Sequence, residues 1–217
     1  MCGLVGIFAY HNSAPPVDAA EALKIREAMR PRGPDGAGLW LSPDKRLALA
    51  HRRLSIIDLS EAGVQPMATP DQSVRVVFNG EIYNYRELRN GLEHQGHRFQ
   101  SQSDTEVLLH PYQEYGEAMM DRLRGMYAFA IWDHVGQSLL LSQDPFGIKP
   151  HNISGQKNFL HLPHRTPFGY PDHIFNLLEY VRRKDNGKIV AIRRQGLSRS
   201  PLGKSAIPRS GLGYRCP

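Results

Sequence analysis

The chain opens on a run that has to be buried. Cys2-Gly3-Leu4-Val5-Gly6-Ile7-Phe8-Ala9-Tyr10 carries no charged side chain and intersperses small residues among large apolar ones, so it reads as a buried strand starting at the first residues. Whatever follows must supply its cover.

The next segments alternate between the two regular structures. Residues 18–29 set Ala19, Ala22, Leu23, Ile25 and Ala28 at near-helical spacing among charges, which predicts an amphipathic helix ended by Pro31. The turn-rich stretch Arg32-Gly33-Pro34-Asp35-Gly36 precedes candidate strands at 38–41 and 47–51. Residues 74–78 form a further candidate strand running into Asn79-Gly80, a dipeptide suited to a tight turn. A helix is expected over 86–95. Ser103 and Glu106 have the spacing of a capping box before Val107-Leu108-Leu109, with Pro111 unusually placed in the helix that follows. Strands at 126–132 and 138–141 flank a turn and predict a hairpin. Strand and helix segments intersperse without a repeating period, so the fold class is α+β.

Length and composition narrow the setting. The 217 residues, 41% hydrophobic, are enough for one domain or two with a packed core. No apolar run reaches the roughly 18 to 20 residues of a membrane-spanning helix, and no signal peptide opens the chain, so a cytoplasmic protein without a membrane partner is expected. Two cysteines, Cys2 and Cys216, cannot make a disulfide framework, which fits a reducing compartment.

The formal charge of +6 invites a nucleic-acid reading, but the charge is divided unevenly. Residues 1–150 hold 15 Lys/Arg against 18 Asp/Glu, whereas 151–217 hold 12 against 3. The body is mildly acidic and no nucleic-acid partner is expected. The last 22 residues contain 4 Gly, 4 Ser and 3 Pro, the composition of a flexible tail. Within the basic segment only 173–184, with Ile174, Phe175, Leu177, Leu178 and Val181, has the pattern of an amphipathic helix.

A cysteine at position 2 has a chemical use. Removal of Met1 would leave Cys2 with a free α-amino group, whose ordinary pKa of roughly 7.7 to 8.0 leaves a neutral fraction able to act as a base. One residue would then supply nucleophile and base, which a thiol needs because little of it is thiolate near neutral pH. The plain alternative is a small buried hydrophobe. Asn79 and the Gly80 N–H could stabilise the oxyanion made by attack on an amide, or simply form a hairpin turn. Arg53 could clamp a carboxylate or end a strand in solvent, and Asp104 could bind an ammonium or only complement a helix start. The ten histidines offer no convincing metal-ligand set; His94/His97 and His161/His164 are loose pairs.

Jointly, Cys2-Gly3, Arg32-Gly33-Pro34-Asp35-Gly36, the Arg53 to Asp58 block with Gln65-Pro66-Met67, Asn79-Gly80-Glu81-Ile82-Tyr83-Asn84-Tyr85, Ser103-Asp104-Thr105-Glu106 and Asp144-Pro145-Phe146-Gly147-Ile148-Lys149-Pro150 resemble a known family. They are similar to the class II glutamine amidotransferase (N-terminal-nucleophile, glutaminase) domain of asparagine synthetases, over residues 1–150. The resemblance implies a four-layer α/β/β/α sandwich of two mainly antiparallel sheets, C-terminally incomplete here. It implies that Cys2 attacks the side-chain amide of L-glutamine through a γ-glutamyl thioester, releasing ammonia and glutamate. Asn79 and Gly80 would form the oxyanion hole and Arg53 would hold the substrate carboxylate. Leu54, Ser55, Ile56 and Ile57 would line the pocket, and Glu81 and Asp104 would bind the ammonium. Arg32 and Asp35 would be scaffold. No metal or other cofactor is implied for this half-reaction; ATP and Mg belong to the family's synthetase domain.

The chain departs from the family in having Pro31 where His is usual and Gln143 where Arg is usual. The resemblance stops after Pro150, and the Ser-Gly-Gly-x-Asp-Ser loop of the synthetase domain is absent. Residues 151–217 are accordingly expected to be a basic tail outside the family pattern, disordered or translated out of frame, in a truncated chain that does not make asparagine alone. A separate synthetase chain would then accept the ammonia. The competing expectation is an inactive remnant or partner-binding module of the same family.

Overall fold

Strand β1 (Gly3–Ala9) is buried along its whole length because both of its faces are covered. The two-residue period of a strand sends Leu4 and Phe8 to one side and Val5, Ile7 and Ala9 to the other. The second set meets helix α1 (Ala19–Ala28), which starts where the Asp18 carboxylate accepts from the Ala20 N–H at 2.8 Å. The first set faces a second sheet.

In a computed structural model that describes residues 2–149, 154–156, 159–163 and 190–194, the remaining elements follow in order. They are β2 (Gly36–Leu41), β3 (Leu47–Arg53), β4 (Met67–Ala68), β5 (Val74–Ile82), α2 (Tyr85–His94), α3 (Glu106–Tyr115), β6 (Gly125–Asp133), β7 (Ser138–Gln143), β8 (Ser154–Gln156), β9 (Phe159–Pro163) and β10 (Val190–Arg194). One sheet has the order β2-β3-β1-β9-β8 and the other β10-β7-β6-β5-β4; every pairing is antiparallel except β10 with β7. Leu4, Phe8, Leu47 and Leu49 pack between the sheets against Val77, Ala128, Ala130, Trp132, Leu139 and Leu141. Phe8 and Trp132 meet there with ring centroids 5.8 Å apart. On the far side of the second sheet, Val76, Phe78, Tyr127, Phe129 and Ile131 meet Leu108 and Leu109 of α3 and Met119 and Met120 of a following 3₁₀ turn. The layers therefore run α/β/β/α, as expected.

His51 is the polar exception in the inter-sheet layer. Fully buried on β3, it sets Nε2 3.0 Å from the Phe78 carbonyl of β5, so that nitrogen carries the proton. Burial holds its pKa down to about 4, and the ring is neutral near pH 7.

Three local expectations are corrected. Asn79-Gly80 makes no turn: β5 continues through it to Ile82, with Asn79 opposite Ala128 and Gly80 opposite Tyr127. Gly80 is needed there for space, since a Cβ would strike the Met126 carbonyl. The capping box does not form. The Ser103 hydroxyl accepts from the Thr105 N–H, while the Glu106 carboxylate reaches back to the N–H groups of Gln100 and Ser101 at 2.8 and 2.7 Å. Lastly, the sheets do not end at residue 150. Strand β9 runs beside β1, with Val5 opposite Pro163 and Ala9 opposite Phe159, and its Leu160 and Leu162 enter the inter-sheet core. Both β9 and the β10 strand beside β7 fall within the segment expected to be a tail. The helix expected over 173–184 and the segment from Gly196 onward lie outside the described residues.

Candidate active site

Strand parity gathers the site. Because β1 and β3 are antiparallel, with Gly3 opposite Arg52, the start of one lies beside the end of the other. Cys2 continues the inward row of Leu4 and Phe8, and Arg53 that of Leu47, Leu49 and His51. On β5, Asn79 and Glu81 continue the inward row of Val77. At this end of the sandwich lies a cavity of about 180 Å³. Of the ten residues singled out in the sequence, Cys2, Arg53, Leu54, Ile56, Ile57, Asn79, Gly80, Glu81 and Asp104 line it. Ser55 does not, and its N–H is turned instead to the Asp35 carboxylate at 2.8 Å.

The Cys2 thiol is half-buried. Its Sγ lies 3.6 Å from the Leu54 carbonyl and 3.3 Å from the Leu54 N–H nitrogen, which donates to it. Burial pushes the thiol pKa up and outweighs the help from that N–H, so the resting group is a thiol and needs a base. Asn79 is 2% exposed, and its Nδ2 has no hydrogen-bond partner among the described residues. An amide donor buried without an acceptor is costly unless a ligand supplies one.

Charge is split across the cavity. The Arg53 guanidinium donates to the carbonyl of Ser60 at 2.7 Å and to that of Asp58, which uses part of its five-donor fork on its own loop. Opposite in sign stand exposed Glu81 and buried Asp104. Burial raises the Asp104 pKa to about 6, with the Glu81 charge adding to it; backbone N–H groups, first that of Ile82 at 3.1 Å, then those of Asp104 and Thr105, work the other way. A cation on one side and two carboxyls elsewhere suit a small zwitterion.

The supports come from loops. Asp35 donates its N–H to the Arg53 carbonyl, consistent with a scaffold part. Asp58, held below the usual carboxylate range chiefly by the Ser60 hydroxyl, accepts from the Gln102 N–H at 2.8 Å and so ties the 54–60 loop to the segment leading to Asp104. Asp144 gathers four N–H groups, from Tyr127, Phe146, Ile148 and Lys149, and Gln143 donates to the Lys149 carbonyl at 2.9 Å. That arrangement holds buried Lys149 at the cavity wall. Gln65, Ser103, Thr105, Met126 and Lys149 line the cavity without having been singled out as site residues. For all of these but Met126 the available signal was their place in the motifs that carry the family resemblance.

No group of three or more His, Cys, Asp and Glu able to hold a metal ion exists among the described residues. His94 turns Nδ1 to the Asn90 carbonyl, whereas His97 pairs with His110 and Glu114, so the two do not converge. His164 lies outside the described residues. No described helix is long and apolar enough to cross a membrane.

Comparison with known proteins agrees with this picture. The glutamine amidotransferase domain family matches residues 1–162. Asparagine synthetase [glutamine-hydrolyzing] 1 of Bacillus subtilis (strain 168) is 46% identical over 151 residues, covering 69% of this chain and 23% of the relative. Asparagine synthetase [glutamine-hydrolyzing] 3 of the same organism is 32% identical over 216 residues, 98% of this chain and 32% of the relative. Asparagine synthetase [glutamine-hydrolyzing] 2 of Oryza sativa subsp. japonica is 39% identical over 150 residues, 69% of this chain and 24% of the relative. The chain thus spans about a quarter to a third of the length of these relatives. Among solved structures, the glutamine phosphoribosylpyrophosphate amidotransferase of B. subtilis complexed with ADP and GMP matches with a TM-score of 0.61 at 22% identity, over 75% of this chain and 42% of that one. The fold is that of the N-terminal-nucleophile amidotransferases.

Proposed function

The chain belongs to the glutamine amidotransferase domain family, and on that premise we propose that it hydrolyses L-glutamine as the glutaminase part of an asparagine synthetase system. The observation that carries the reading is the Asn79 Nδ2, without a partner among the described residues and buried in the wall of the cavity that also holds the Cys2 thiol.

In this reading the α-amine freed by removal of Met1 takes the thiol proton, and Sγ adds to the amide carbon of glutamine. The carbonyl oxygen becomes an oxyanion that accepts from Asn79 Nδ2 and the Gly80 N–H. The C–N bond then breaks, the nitrogen takes the proton and leaves as ammonia, and a γ-glutamyl thioester remains. Water attacks the thioester, releasing glutamate and restoring the thiol. An oxyanion donor of this kind contributes about 10²- to 10³-fold in rate. Free donors of Arg53 hold the α-carboxylate, and Asp104 with Glu81 holds the α-ammonium. The ammonia passes to an asparagine-forming synthetase, on the same polypeptide or a separate one. The reaction belongs in a reducing compartment such as the cytoplasm, where a nucleophilic thiol survives.

Glutamate release by the purified chain, beside a Cys2→Ala control, tests the reading. Release by the wild type that falls to background in the variant supports it; equal release from both, or none from either, overturns it.

A further inference from the structure

Among the described residues, the oxyanion edge of the site lacks a neighbouring strand where it needs one most. Strand β4 is two residues long and pairs only with Val76 and Arg75 of β5. In an antiparallel ladder every second residue turns its N–H and C=O to the same side. On β5 this row, pointing away from β6, is residues 74, 76, 78, 80 and 82. Val74 is satisfied by Thr69, Val76 faces Met67, and the Ile82 N–H donates to Asp104. Phe78 has no strand opposite among the described residues, yet both of its backbone polar groups are held. Its N–H donates to Gln65 Oε1 at 2.7 Å, and its carbonyl accepts from His51 Nε2 at 3.0 Å. The next N–H in the row is that of Gly80, which by the same parity points away from β6, and Gly80 lines the cavity.

We propose that Gln65 is a positioning residue of the glutaminase site: its side-chain amide stands in for the missing strand and sets the aim of the Asn79-Gly80 donors. The proposal rests on the glutaminase reading. Gln65 is 5% exposed and both ends of its amide are engaged, Nε2 donating to Thr105 Oγ1 at 3.0 Å. Thr105 adjoins Asp104, so one side chain ties the oxyanion donors to the ammonium-binding carboxylate. An uncharged amide suits the position because one end must accept and the other donate; an ionised carboxylate can only accept. The Gln65 backbone is itself close-packed, since a Cβ on Gly38 would strike the Gln65 carbonyl. Gln65 therefore cannot drift without moving β2.

Steady-state glutamine hydrolysis by the full chain, paired with alkylation of Cys2 by iodoacetamide, tests this role. Alkylation forms an S–C bond as iodide leaves, with no oxyanion, so it reports thiol access and not donor aim. Gln65→Met removes both hydrogen bonds and is expected to lower kcat about 10- to 100-fold while the alkylation rate stays within about twofold of wild type. Gln65→Glu keeps the acceptor for the Phe78 N–H and is expected to recover most of that kcat while KM for glutamine rises. Unchanged kcat in Gln65→Met, or alkylation slowed as much as hydrolysis, overturns the proposal. Should Gln65→Met not fold, Gln65→Glu decides: a larger effect on KM than on kcat supports the role, and the reverse overturns it. A wild-type chain that alkylates normally but releases no glutamate overturns the glutaminase reading itself, and this role with it.

Discussion

The two walls of the cavity are finished differently. The wall from the first sheet is largely tied to its own backbone: Arg53 spends part of its donors on the Ser60 and Asp58 carbonyls, Cys2 sits against both polar groups of Leu54, and Asp35 holds Ser55. The wall from the second sheet is left open, with an Asn79 Nδ2 that has no partner among the described residues, Gly80 lining the cavity, and an Asp104 carboxyl raised to about 6 by burial. Groups tied to their own backbone are held without a ligand, whereas open ones are completed by it. The same division appears over two positions of the chain. Asp104 and Glu106 are both buried, yet burial wins at Asp104, while at Glu106 it is outweighed by hydrogen bonds from His110, Ser101 and Gln100, which hold that carboxyl at about 2.

The strongest way to break this contrast is Asn79→Ala on the open wall. It is expected to lower kcat for glutamine about 10²- to 10³-fold with little loss of Tm, because the Asn79 Nδ2 has no partner among the described residues; a large fall in Tm would show that the amide is structural. Next, Asp104→Asn should raise KM about 10- to 100-fold, the size of a lost charge-assisted hydrogen bond. In the wild type, KM should climb as pH falls through about 6, where Asp104 takes a proton and loses its attraction for an ammonium. The same variant should be more stable than wild type near pH 7. A folded pKa above the unfolded 3.8 means that ionisation opposes folding, so stability is lost as pH rises through about 6 and the advantage vanishes below about 4.

Where a side chain is spent on its own loop, the expected effects fall on stability. Asp58→Ala should cost about 1–3 kcal/mol, seen as a lower urea midpoint, by leaving the Gln102 and Ser60 N–H groups without their acceptor. Smaller in reach is the acid limb. Glu106, held at about 2 against an ordinary 4.5, stabilises the fold above about 4.5, and that contribution is lost as pH falls toward 2. Glu106→Gln should flatten the low-pH arm of a stability curve, and an unchanged arm would contradict the assignment.

Much of this was legible in the sequence because strand parity is a local signal. The strand from Gly3 to Ala9 follows from its unbroken apolar run and the hairpin of β6 and β7 from strand runs flanking a turn, and the motifs around Cys2, Arg53, Asn79 and Asp104 marked nine of the residues lining the cavity. What was missed depends on distant partners. Asn79-Gly80 has turn propensity, but its neighbours pair with β6 and the ladder prevails. Gln65 lies in a turn-rich stretch, and its partners are 13 and 40 residues away. Strand β9 is short and flanked by basic chain, and only β1 beside it makes burial of Leu160 and Leu162 worthwhile. The expected capping box failed for a related reason: Glu106 found better donors in the loop before it.

The central claim is that Cys2 carries the glutamyl group. Acid-quenched mass spectrometry of the wild-type chain during turnover with glutamine tests it most directly. The account predicts an N-terminal peptide that begins at Cys2, without Met1, and gains the mass of one glutamyl group on its thiol. Glutamate accumulating with no adduct on that peptide, or with the adduct on another residue, would contradict it.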